Sequence, residues 1–142
     1  GVNRRWTEVG GCEYKVVCDY AHHPTEIACA VQTARSVCKG KLVCLFQPHT
    51  YSRTAAFWQQ FVTCFDGADA VAYLPIYSAR EQPLKGVTSQ NLSKLARHLG
   101  ANATYCQDFA SAVDFVRSTA QKGDLVLVLG AGDVVSLAPM LT

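Results

Sequence analysis

A chain of 142 residues with 49% hydrophobic and 17% charged side chains supports one ordinary globular core and argues against both a disordered chain and two domains. The net charge of +2, with scattered Lys and Arg, does not suggest a nucleic-acid surface, and no apolar run approaches the ~20 residues that cross a bilayer. Gly1-Val2-Asn3-Arg4-Arg5 lacks the apolar stretch of a signal peptide, so the plain reading is a soluble, cytoplasmic protein.

Arg4 to Val9 and Tyr14 to Cys18 read as β-segments around a Gly10-Gly11 turn. Pro24 suits a first helical position, with His23 just outside it. Ile27, Val31, Ala34 and Cys38 then share one helix face until Gly40 stops the run. Leu42 to Phe46 reads as a strand, and Phe57, Phe61 and Phe65 with Trp58 and Val62 as one helix ended by Asp66-Gly67.

Ala70 to Leu74 reads as an alternating strand, followed by an ordered loop from Pro75 to Thr88. Ser89 is expected to cap a helix bearing Leu92, Leu95, Ala96 and Leu99, with Gly100 past its end. Thr104 to Cys106 is a short strand, and Phe109, Ala112, Val113 and Val116 line another helix. Leu125 to Leu129 is continuously apolar, as a central parallel strand should be, and Gly130-Ala131-Gly132-Asp133 turns the chain into a last helix. This alternation predicts an α/β, Rossmann-like doubly wound, mostly parallel sheet with helices on both faces and a short N-terminal β-hairpin. The opening residues read as the start of a domain whose partner has been cut away.

The seven cysteines, Cys12, Cys18, Cys29, Cys38, Cys44, Cys64 and Cys106, are odd in number and contain no Cys-x-x-Cys pair. They read as buried, reduced structural thiols in a reducing compartment, not a zinc or dithiol site.

Two strand-to-helix turns carry the polar chemistry: Asp19-Tyr20-Ala21-His22-His23-Pro24-Thr25-Glu26 and Gln47-Pro48-His49-Thr50-Tyr51-Ser52-Arg53-Thr54. At the carboxyl edge of a parallel sheet, such turns are where ligands bind. Asp19 suits either vicinal hydroxyls or its own turn. Of His22 and His23, one is expected to meet a polar ligand and the other to cap the helix. Arg53, in the first turn of a helix, opposes the helix dipole unless an anion lies nearby, and its fork suits carboxylate or phosphate. His49 and Tyr51, like Tyr77 and Glu81 in the long loop, read as either core or site. Gly130-Ala131-Gly132 lacks the third glycine of a dinucleotide fingerprint, and no Gly-Lys-[Ser/Thr] phosphate loop is present.

Both turns, the opening Gly1-Val2-Asn3-Arg4-Arg5, the block Pro75-Ile76-Tyr77-Ser78-Ala79-Arg80-Glu81 and Leu127 to Asp133 resemble, in order, blocks of the C-terminal domain of the Mur ligase family. The likeness covers essentially the whole chain and is nearest the branch that joins L-alanine to UDP-N-acetylmuramate. Thr50 departs from members that carry Arg there. The resemblance implies that residues 1–142 are a single C-terminal domain, with the N-terminal UDP-binding and central ATPase domains outside this chain.

The resemblance further implies an ATP-dependent, ADP-forming ligation in peptidoglycan biosynthesis, through an acyl phosphate, with Mg²⁺ held mainly by the central domain. It places Arg5, Asp19 and Tyr20 toward the nucleotide, and His22, His49, Tyr51, Arg53 and Tyr77 toward the amino acid and reacting groups. No catalytic residue is assigned to this domain, and the fragment alone is expected to be inactive. The alternatives are a murein tripeptide ligase domain, against which the second turn argues, and a non-catalytic nucleotide-binding module.

Overall fold

The structure, a computed structural model, describes residues 6–9 and 13–142. The Gly10-Gly11 turn, Arg4, Arg5 and Cys12 lie outside the described residues. Among these residues, six strands form one sheet: β1 (Thr7–Val9), β2 (Lys15–Asp19), β3 (Leu42–Phe46), β4 (Ala70–Tyr73), β5 (Ala103–Tyr105) and β6 (Leu125–Leu129). Their order across it is β1-β2-β6-β3-β4-β5. Only β1 is antiparallel, paired with β2; the other pairings are parallel. The register sets Asp19 against Leu129, Leu129 against Phe46, Phe46 against Tyr73 and Tyr73 against Tyr105, so five strands end together at one edge.

The α-helices among the described residues are α1 (Pro24–Val37), α2 (Tyr51–Ala56), α3 (Gln60–Thr63), α4 (Ser89–His98) and α5 (Phe109–Thr119). Ile27, Val31 and Ala34 of α1, Phe61 of α3 and Leu92 and Ala96 of α4 pack on one face of the sheet, against Val17, Cys44, Phe46 and Leu127. Ala112 and Val116 of α5 pack on the other face with Val134, Leu137 and Leu141, against Val16, Val43, Leu45 and Val126. Successive side chains of a strand point to opposite faces, so β3 and β6 feed both cores and are buried throughout. The doubly wound sheet with its N-terminal antiparallel pair is the expected architecture.

Local details differ from the expectation. β4 does not alternate between core and solvent: it lies between β3 and β5 under helices on both faces, and all its residues are buried. The Phe57 to Phe65 segment is not one helix. Phe57 leaves helical geometry (φ −117°, ψ 33°), and its ring packs edge-on against His23, with centroids 4.8 Å apart. The cap of α4 is Thr88, whose Oγ1 accepts the Asn91 N–H at 3.1 Å; Ser89 is buried and donates instead to the Leu74 carbonyl. The fifth strand begins one residue earlier than expected, and the last helix is a 3₁₀ helix, Asp133–Leu141, containing Pro139.

The thiols are not uniformly buried. Cys29 is exposed and Cys38 partly so, whereas Cys18, Cys44, Cys64 and Cys106 are buried. Burial pushes Cys64 up to about 12 and Cys18 and Cys106 up to about 11, with Asp19 and Asp108 adding to the latter two, so these three stay protonated and unreactive at neutral pH. Among the described residues, no helix is long and apolar enough to cross a membrane.

Candidate functional site

The chain leaves β2 toward one face of the sheet and β6 toward the other. This divergence at the carboxyl edge opens the crevice where open α/β sheets bind ligands. Its floor is a packed polar joint. Gln47, just past β3 and 5% exposed, donates from Nε2 to Asp133 Oδ1 at 2.8 Å and accepts the Val134 N–H at 3.2 Å. A Cβ on Gly132 would sit 2.6 Å from Tyr77 Cγ and 2.7 Å from Gln47 Oε1. The small residues after β6 are therefore required by close packing.

The β2 turn separates the roles left open for its residues. Asp19 Oδ1 accepts the Ala21 N–H at 2.8 Å, which shapes the turn. His23 is the helix cap: its Nδ1 accepts the Thr25 N–H at 3.2 Å, and Glu26 Oε1 accepts the His23 N–H at 3.3 Å, a reciprocal capping box. That leaves His22 to face the crevice. Its Nδ1 lies 3.2 Å from the Tyr20 carbonyl, an acceptor only, so the proton sits on Nδ1 in the neutral ring.

The β3 turn is bound to the long loop by backbone. Tyr77 N–H donates to Pro48 O at 2.9 Å and Thr50 N–H to Tyr77 O at 2.8 Å, around a parallel bridge between His49 and Tyr77. Thr50 caps α2 from a left-handed conformation (φ 67°), accepting the Arg53 N–H at 3.2 Å. Four rings line up as a result. Tyr20 and His22 meet edge to face at 6.0 Å, as do His22 and His49, while His49 stacks on Tyr77 at 5.4 Å. Tyr51 stands outside this row, with no aromatic partner among the described residues.

Arg53 is half-buried beside the row. The ion pairs among the described residues join Lys15 to Glu8, His22 to Glu26, Arg35 to Asp69 and Lys41 to Asp124; Arg53 takes part in none of them. His49 Nδ1 is buried and has no hydrogen-bond partner among the described residues. Burial, then the neighbouring His22 and Arg53 charges, hold His49 below the ordinary histidine value of 6.5, opposed by Glu81. The unfolded chain thus takes up this proton first as pH falls, so His49 removes stability as pH drops through 6.5 and costs none above it. In an NMR titration, the His49 ring should have its midpoint below 6.5; a midpoint above 6.5 would contradict the buried, cation-flanked placement.

A hollow of about 490 Å³ opens beside Asp19 and Tyr20, walled by Val9, Val134, Val135 and Pro139. Hollows of about 660 and 720 Å³ at the opposite edge contain none of Asp19, Tyr20, His22, His49, Arg53 and Tyr77, so size does not mark the site. Among the described residues, no group of three or more His, Cys, Asp or Glu side chains is placed to hold a metal ion. Arg5 lies outside the described residues. The contacts that sequence reasoning did not foresee are Gln47 with Asp133 and Ser52 with Glu81, 86 and 29 residues apart.

A doubly wound sheet gathers Asp19, His22, His49 and Arg53 at its carboxyl edge, the place where open α/β domains bind ligands. The chain belongs to the Mur ligase family: the model of the family's glutamate ligase domain matches residues 4–132. A UDP-N-acetylmuramate–L-alanine ligase of Mycobacterium ulcerans is 43% identical over 98% of the chain, which spans 29% of that relative. The crystal structure of UDP-N-acetylmuramate–alanine ligase from Thermotoga maritima superposes with a TM-score of 0.76 at 23% identity, over 97% of this chain and 29% of that one. E. coli FolC in complex with ADP shares the fold at a TM-score of 0.66 and 18% identity, over 97% and 30% of the two chains.

Proposed function

We propose that residues 1–142 are the C-terminal domain of a UDP-N-acetylmuramate–L-alanine ligase, acting in peptidoglycan synthesis in the cytoplasm beside its own N-terminal UDP-binding and central ATPase domains. The observation that carries this reading is the 43% identity to an enzyme of that name across 98% of the chain. The gathering of both polar turns at the sheet edge supports it.

In this reading, phosphoryl transfer from ATP activates the muramate carboxylate as an acyl phosphate. The alanine amine attacks that carbonyl, and the tetrahedral intermediate collapses to amide and inorganic phosphate. Asp19 and Tyr20, with Arg5, face the nucleotide; FolC, which shares this fold over 30% of its length, is itself a protein that binds ADP. Arg53 pairs with the alanine carboxylate, and His22, His49, Tyr51 and Tyr77 shape the pocket around it. Mg²⁺ is assigned to the central domain, as the family resemblance implies.

The test is an assay with UDP-N-acetylmuramate, ATP, Mg²⁺ and single amino acids. The full-length protein should ligate alanine, whereas residues 1–142 should show no turnover and bind ATP more weakly than about micromolar. Ligation of a preformed peptide but not of alanine would move the chain to the tripeptide-ligase branch. Micromolar or tighter ATP binding by this chain alone would overturn the division of labour between domains.

A further inference from the structure

We propose that Glu81 is a positioning residue for the amino-acid pocket: its carboxylate straps the Pro75 to Thr88 loop onto the start of α2 and so holds His49, Tyr77 and Arg53 in one arrangement. The inference deepens the reading of this edge as alanine-binding and rests on it.

Glu81 Oε1 accepts the Ser52 N–H at 2.9 Å, and its Oε2 accepts the Ser52 hydroxyl at 2.5 Å. α2 has no acid of its own in its first turn, and Glu81 supplies one from the loop. The hydrogen bonds from Ser52 hold the Glu81 carboxyl below the ordinary carboxylate range, with Arg53 adding to the effect. Arg53 is the next residue after Ser52, so the strap and the cation share one helical turn.

The route by which Glu81 arrives is conformationally costly. A turn closed by the Glu81 N–H on Ser78 O at 3.0 Å has both central residues left-handed, Ala79 at φ 50° and Arg80 at φ 71°. Non-glycine residues seldom adopt this region, and those that do cluster where function over-determines the backbone. Among the described residues, three of the four non-glycine positions with positive φ, namely Thr50, Ala79 and Arg80, lie at this junction. Tyr77, directly before that turn, is the residue stacked on His49. A strap needed only for stability would not require strain on both segments it joins.

The experiment uses the full-length protein carrying Glu81→Ala, Glu81→Gln and Ser52→Ala. Gln retains an acceptor for the Ser52 N–H and a donor for its hydroxyl, so it should restore the strap without the charge. Expected for Glu81→Ala is an alanine KM raised by about tenfold or more, with the KM for ATP and for UDP-N-acetylmuramate within about twofold. Glu81→Gln should recover most of that loss, and Ser52→Ala should mimic part of it. An unchanged alanine KM, or a joint drift of all three KM values with melting temperature, would overturn the proposal.

A second readout does not depend on which substrate is used. Cross-relaxation between the His49 and Tyr77 rings, 5.4 Å apart, should weaken in Glu81→Ala relative to the parent protein. Its full retention would overturn the proposal whatever the kinetics. Weakened cross-relaxation in a protein that does not ligate alanine would uphold the strap and sink the alanine reading.

Discussion

On the proposed alanine-ligase reading, Arg53→Ala and Arg53→Lys should each lower kcat/KM for alanine by roughly 30- to 1,000-fold in the full-length protein, equivalent to ~2–4 kcal/mol, while leaving the melting temperature nearly unchanged. The separation of the two effects follows from what the side chain does in this domain. Arg53 joins no ion pair among the described residues, so its removal breaks no structural contact of that kind. Its backbone N–H, which Thr50 accepts, is present in any substitution except proline. Lysine keeps the charge but loses the planar fork that matches a carboxylate, so it should fall nearer to alanine than to arginine. A solvated surface arginine would instead give near-normal kinetics in both variants, and that result would remove Arg53 from the site.

The class of fold was legible because its determinants are local. Leu125 to Leu129 is apolar at every position, which a strand tolerates only when helices cover both faces, and β6 indeed lies between β2 and β3. The helical spacing of Ile27, Val31 and Ala34 likewise marked the buried face of α1. Cys29 is off that face, so its exposure follows from the same spacing that was used for its neighbours. What failed was decided by distant partners. Ser89 is the better cap residue by type, but the Leu74 carbonyl, 15 residues away, claims its hydroxyl and leaves the cap to Thr88.

The site divides in the same way. Both polar turns were visible as strand-to-helix junctions, but the sheet order that sets His22 beside His49 depends on β6 inserting between β2 and β3. Which histidine caps α1 turned on the His23 ring, whose Nδ1 accepts the Thr25 N–H, since Glu26 Oε1 accepts the N–H groups of both His22 and His23. The Glu81 strap was out of reach because it joins two segments through a turn that neither Ala79 nor Arg80 favours.

Phe46→Ala should have the opposite signature to the Arg53 variants, a large loss of stability. Phe46 ends β3, directly before Gln47, and is fully buried. Its ring lies 5.4 Å from Phe61, 5.3 Å from Phe65 and 6.0 Å from Tyr73, the centre of one core. These neighbours are held from several directions: Tyr73 Oη donates to the Phe61 carbonyl at 3.0 Å, and Phe65 sits edge-on to Tyr73 at 5.9 Å. The cavity left by the ring therefore collapses poorly, and truncation should cost ~3–5 kcal/mol. For a domain of this size, that lowers the melting temperature of the 142-residue chain by roughly 10–20 °C in calorimetry. Phe46→Leu, which keeps more of the volume, should cost distinctly less. A fall of under ~3 °C for Phe46→Ala would mean that the aromatic cluster is not the support on which the Gln47 to Arg53 turn is built.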